Sequence, residues 1–112
     1  MNKNFVWGAA SLTGMMLLAS TAFAAEEIFE LTIQGHQFLP MELKVPSNKK
    51  LKLIVKNNDS TAEEFESYDL NREKVVSGNS QITLFIGPLK AGSYKFFGDF
   101  NPKTAHGVIL AE

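Results

Sequence analysis

The chain reads as an all-β protein, a single-domain antiparallel Greek-key β-sandwich, and three observations carry that reading. Apolar residues recur at every second position in short runs, as at Phe29, Leu31 and Ile33 or at Leu51, Leu53 and Val55. That is the period of a strand with one buried face. The runs are separated by Pro46-Ser47-Asn48, Ser77-Gly78-Asn79 and Gly87-Pro88, whose backbone preferences turn the chain. No long amphipathic helix intervenes, so the apolar faces are left to cover one another, sheet on sheet.

The sandwich is expected to follow a leader. Lys3 gives a positive start, Phe5 to Leu18 is an apolar run softened by Gly8 and Gly14, and Ala22-Phe23-Ala24 is a small-residue cleavage signal. Residues 1–24 are therefore expected to be a cleaved secretory signal peptide and residues 25–112 the domain. A membrane anchor needs roughly 20 strongly apolar residues, usually with a basic flank. Here the acidic pair Glu26-Glu27 follows at once.

The roughly 88 residues that remain make one domain, near the small end of what a single core stabilises. The chain has no cysteine, so disulfides contribute nothing and a well-packed apolar core has to suffice. The same absence excludes a thiolate nucleophile, a Cys-based zinc site, an iron–sulfur cluster and a copper–thiolate centre. The net charge is −1, with Lys and Arg interspersed among acids rather than gathered in a stripe. A nucleic-acid partner is therefore not expected.

Taken in order, Ile28 to Ile33 is the first strand. Gly35 to Pro40 breaks the pattern, and Met41, Leu43 and Val45 resume it for a short second strand. Leu51 to Val55 is the third, ended by Asn57-Asn58-Asp59-Ser60. Thr61 to Lys74 is the most charged segment. Its first half reads as a strand with Glu64, Glu66 and Tyr68 on one face and Phe65 and Ser67 on the other, against a short helix capped by Thr61 with Glu64 three residues on. Ile82, Leu84 and Ile86 mark a further strand. Tyr94 to Phe97 and Val108 to Ala111 form a closing pair around the polar loop from Gly98 to Ala105. Most of the phenylalanines, Phe29, Phe38, Phe65, Phe85, Phe96, Phe97 and Phe100, are expected in the core.

Two groups of side chains can carry chemistry. Glu64 and Glu66 flank Phe65, so on a strand both carboxylates project to one side, roughly 7 Å apart at Cα, and can grip one cation between them. Oxygen donors of this kind, with imidazole, suit Fe(II), Fe(III), Cu(II) or Mn(II). The alternative is a solvated acidic face. Asp99 and His106 stand at the two ends of the closing loop, where a rigid sandwich presents ligand groups without burying unpaired charge. The alternative there is a surface connection with a chance Asp and His. Enzyme signatures are lacking: there is no Ser or Cys nucleophile motif, no glycine-rich phosphate loop and no H-E-x-x-H helix. Glu64 and Glu66 as an acid–base pair would need a sugar cleft for which the domain offers little room.

Three strings carry a resemblance that covers the whole domain: GHQFLPMELKVP at Gly35 to Pro46, VKNNDSTAEEFESYDLNREKVV at Val55 to Val76, and IGPLKAGSYKFFGDFNPKTAHGVIL at Ile86 to Leu110. The chain resembles the cupredoxins, in particular the cupredoxin-like domains of bacterial periplasmic iron-uptake systems, for which the EEFES-x-DLNRE and FNPKTAxG strings are the more specific. The resemblance implies a cupredoxin-like sandwich with ligands at one rim. It also shows a departure: where a blue-copper protein has His, Cys, His and Met, this chain has the Glu63-Glu64 region at the first His position, Gly98 at the Cys position and about Ala105 at the Met position. A blue-copper electron carrier is thereby excluded on chemistry.

What the resemblance implies instead is a periplasmic metal-binding accessory of ferrous-iron uptake. An iron or copper ion would be held by Glu64, Glu66 and Asp99 with His106 or His36, and the protein would assist Fe(II) oxidation or transfer. Its partners would be a periplasmic iron-binding protein or an inner-membrane iron permease, and a homodimer is compatible with that role. His36 enters because its loop lies near the ligand rim of related domains. Met41 is a soft axial donor or a packing residue, and Asp69, Arg72 and Glu73 form a charged network that positions the loop. Two other readings stay open, a metal-free module whose acidic loop docks a protein and a copper-delivery protein.

Overall fold

The computed structural model describes residues 26–112; the leader expected over residues 1–24 lies outside them. The described chain is all strand and turn, with strands β1 (Glu27–Gln34), β2 (Gln37–Leu39), β3 (Glu42–Val45), β4 (Leu51–Asn57), β5 (Glu63–Ser67), β6 (Arg72–Val76), β7 (Ser80–Ile86), β8 (Gly92–Gly98) and β9 (His106–Ala111). They form a four-stranded sheet in the order β2-β1-β4-β7 and a five-stranded sheet in the order β3-β9-β8-β5-β6. The sandwich is the one the alternation predicts, in a more mixed form. β1 pairs parallel with β4 and β3 parallel with β9, while the other pairings are antiparallel. Because the chain changes sheet at the β2–β3, β3–β4, β4–β5, β6–β7 and β7–β8 connections, strands that neighbour in space are often not neighbours in sequence.

Two strands go beyond the sequence reading. The segment from Gly35 to Pro40, expected as a break, contains β2, which folds back on β1 in register Gln34↔Gln37 through the two-residue turn Gly35-His36. Both turn residues take positive φ, 62° and 57°, the geometry that matches a tight turn to strand twist. The second half of the charged segment is β6, antiparallel to β5 in register Glu64↔Val75 and Glu66↔Glu73. It is an edge strand with an exposed run of Glu73, Lys74 and Val75, and only Val76 is fully buried. A charged edge of this kind shows little apolar period. Where strand and helix competed, at Glu63–Ser67, the structure has strand.

Between the sheets Phe38, Phe65 and Phe96 pack as a trio. Phe65 and Phe96 stack at 5.5 Å between centroids, and Phe38 meets them edge-on at 6.1 and 4.9 Å. Leu31, Ile33, Leu53, Val55, Val76 and Ile109 close around them. Phe29 is only partly buried, and Phe85 and Phe100 stand largely exposed, contrary to the expectation that most phenylalanines are core.

At one end of the sandwich the loops are pinned by polar groups. The buried Asn57 donates to the carbonyls of Thr61 and Val76 and accepts from the Asp59 N–H. Asp59 in turn accepts the N–H groups of Gly35 and His36. The β8–β9 loop joins them through Thr104, whose hydroxyl donates to the His36 carbonyl at 2.6 Å.

Candidate functional site

Along β5 the alternation sends Glu63, Phe65 and Ser67 into the sandwich and leaves Glu64 and Glu66 half-buried on the outer face of the five-stranded sheet. β8 lies alongside in register Phe65↔Gly98, so Asp99, the next residue, leaves the sheet beside Glu64 and donates its N–H to the Glu64 carbonyl at 2.9 Å. Carboxylate oxygens of Glu64, Glu66 and Asp99 all lie within 4.8 Å of one another. From β6, Glu73 faces Glu66 directly across the ladder. Four acids therefore share one patch, three from neighbouring strands and one from the loop.

Their electrostatics follow from that crowding. The Glu64 carboxyl is pushed up to about 7, first because its position at the sheet surface strips water from it, then by the charge of Glu73, a hydrogen bond with Asp99 and the charge of Glu66. Glu66 is raised as well, by loss of hydration, by Glu73 and by Asp99. Among the described residues no lysine or arginine forms an ion pair with any of the four. A proton shared between carboxyls, or a cation, is what relieves such a patch.

The resemblance locates a second place, the pocket where related proteins hold copper. Residues 63, 98 and 105 do meet there, and the residues present do not fit the ion. The Glu63 side chain is 1% exposed. Its Oε1 accepts the N–H of Glu64 at 2.9 Å and of Phe100 at 2.8 Å, and its Oε2 accepts the Asn101 amide at 2.8 Å. Gly98 must be glycine, since a Cβ there would lie 2.5 Å from Glu63 Cδ and 2.8 Å from Ala105 Cβ. The space beside Gly98 is closely packed, the carboxylate there is met by N–H donors, and among the described residues no sulfur or imidazole is bonded to it. Copper chemistry in this pocket is not available to the chain.

Of the five residues singled out in the sequence, the structure brings Glu64, Glu66 and Asp99 together and leaves the histidines elsewhere. His106 opens β9 opposite Phe97, a full strand beyond the acidic patch. His36 sits in the β1–β2 turn with Nδ1 3.6 Å from Asp59 Oδ2. Met41 is half-exposed beside a groove of about 530 Å³ that it lines with Phe97, His106 and Val108.

The expected charged network divides. Asp69 accepts the Lys95 N–H, Arg72 donates to the carbonyls of Phe85, Leu70 and Asn71, and Glu73 joins the acidic patch. Glu63, named in the sequence only as part of the Glu63-Glu64 region at the first His position, is not among the expected ligands, although the alternation of EEFES already places it on the same face as Phe65, an acid on an apolar face.

The profile of the cupredoxin-like domain family matches residues 8–111. An uncharacterized protein of Rickettsia prowazekii (strain Madrid E) is 47% identical over 81 residues, which is 72% of this chain and 65% of that protein, so the chain spans about two thirds of its relative's length. Among solved structures, auracyanin A, a "blue" copper protein from Chloroflexus aurantiacus, superposes with a TM-score of 0.67 at 13% identity, covering 79% of this chain and 100% of the other. A purple cupredoxin from Nitrosopumilus maritimus gives 0.57 at 17% identity, over 74% and 98% of the two chains. Amicyanin from Paracoccus versutus gives 0.60 at 15%, over 83% and 88%. At these identities the likeness is one of fold.

Proposed function

The chain belongs to the cupredoxin-like domain family, and from that premise we propose that it is a periplasmic metal-binding accessory protein that takes a first-row transition ion on an oxygen site made by Glu64, Glu66 and Asp99, with iron as the favoured cargo and copper as the competitor. The observation that carries the proposal is the meeting of three carboxylates within 4.8 Å of one another, two from β5 and one from the start of the β8–β9 loop. Glu73 adds negative field behind them.

Carboxylates are hard donors and suit iron or manganese better than Cu(I), and an all-oxygen site without thiolate holds its ion loosely enough to pass it on. The patch lies on an open sheet face, so an ion can be exchanged with a partner without unfolding a loop. A ferrous-iron permease or a periplasmic iron-binding protein is the partner this role calls for.

The test is a calorimetric titration of the chelator-stripped protein with Fe(II) under anaerobic conditions and with Cu(II) in parallel. Binding at micromolar metal that is lost in the Glu64→Ala/Glu66→Ala double variant is the expected result. Absence of binding, or binding indifferent to that double substitution, removes the proposal.

A further inference from the structure

A carboxylate as deeply buried as Glu63 needs a reason, because an acid in a sandwich core is costly unless each oxygen is satisfied. Glu63 is satisfied by three donors, two of them backbone N–H groups, and these belong to different parts of the chain. The Glu64 N–H is on its own strand, while Phe100 N–H and the Asn101 amide belong to the β8–β9 loop. The side chain thus works as a bridge between β5 and the loop. It lies above a glycine whose Cβ would collide with it and beside Ala105, which is fully buried.

Gly98 and Ala105, beside the carboxylate, stand at copper-ligand positions of the resemblance, yet the three polar groups bonded to the carboxylate are all N–H donors. A cation placed there would face the positive ends of three dipoles and would force Glu63 to abandon all of them. An anion is what such a ring of donors holds. We infer that Glu63 is an internal anion that closes the pocket at the copper-ligand positions of the resemblance, holding the β8–β9 loop against β5 without any ion, so that whatever cation the chain takes is taken outside this pocket. The inference stands on the donor geometry and not on the acidic patch of the outer face.

Two experiments test it. Glu63→Ala leaves a cavity lined by the same donors. Its thermal midpoint is expected to fall by roughly 5–15 °C and to recover in part with sodium formate, which restores a small carboxylate, but not with sodium chloride at equal ionic strength. The wild-type midpoint is expected to respond equally to both salts. A Glu63→Ala midpoint no lower than wild type, or one that formate raises no more than it raises wild type, overturns the inference.

The second experiment decides alone if Glu63→Ala does not fold. In the Glu64→Gln/Glu66→Gln chain, which keeps only Asp99 and Glu73 of the four outer-face acids, Cu(II) titration is expected to show no site. Copper retained in that chain and lost on adding Glu63→Gln would place an ion in the pocket and overturn the inference. A wild-type chain that binds neither iron nor copper would defeat the function proposed above and leave this inference intact.

Discussion

Glu66 of β5 lies directly across the ladder from Glu73 of β6, two acids in register on one exposed sheet face. Like charges placed opposite each other destabilise a strand pair, and here Glu64 and Asp99 crowd the same patch. Replacing Glu73 by Gln keeps the side-chain shape and removes one charge. Differential scanning calorimetry at pH 8 in chelator should find Glu73→Gln more stable than wild type by a few degrees, and isothermal titration should find its cation affinity reduced several-fold. A lower midpoint at pH 8 would show that the pair is not repulsive in the folded chain.

The pH dependence follows from Glu64, whose carboxyl is raised from 4.5 to about 7. A carboxyl that holds its proton more tightly when folded favours the folded state below its unfolded value, and that contribution disappears as pH rises through the folded value. In chelator, the midpoint should therefore fall between pH 4.5 and pH 7, and Glu64→Gln should flatten that slope. Cation binding runs the other way, because proton and ion compete for the same oxygens. Affinity should rise through pH 7 in the wild type. Equal stability at pH 5 and pH 8 would contradict the crowding of Glu64.

How much of this was legible in the sequence depends on whether the alternation was long enough to see. β1, β4 and β7 show their buried faces over seven or eight residues, and the strand at Glu63–Ser67 was readable from EEFES against a competing helix. β2 is three residues long, too short to display a period, and β6 is charged on its exposed side. The convergence of Glu64 and Glu66 is a property of strand geometry and could be read directly. That Asp99 joins them, and that His36 and His106 do not, depends on how β8 and the turn at Gly35-His36 are placed in space, which no local pattern encodes. Glu63 shows the limit most clearly: the alternation marks it as buried, but its partners Phe100 and Asn101 are 37 and 38 residues away.

Phe38 shows what the short strand contributes. It is fully buried at the centre of the aromatic trio, 4.9 Å from Phe96 and 6.1 Å from Phe65 between centroids. Phe38→Ala should cost about 3–5 kcal/mol in urea unfolding, whereas Leu39→Ala on the same strand, half-exposed, should cost well under half as much. Comparable costs for the two would mean that β2 is not seated on the core as described.

Gly98 and Gly35 offer a matched pair for the loop end of the sandwich. Gly35 sits at φ 62° with nothing near the position of a Cβ, so Gly35→Ala meets only backbone strain, about 1–2 kcal/mol. At Gly98 the backbone is unstrained and the obstacle is steric: a methyl would meet Glu63 Cδ at 2.5 Å, Glu63 Oε2 at 2.7 Å and Ala105 Cβ at 2.8 Å. The loop can yield only by moving Phe100 and Asn101 off the Glu63 carboxylate, so the cost of overpacking, about 1–3 kcal/mol, adds to that of buried hydrogen bonds left unmade, about 1–3 kcal/mol each. Gly98→Ala should therefore be the more destabilising of the two in chemical denaturation, with faster amide exchange at Phe100 as its local signature. A Gly98→Ala chain as stable as Gly35→Ala, with the Phe100 amide still protected, would mean that the carboxylate has room to move aside.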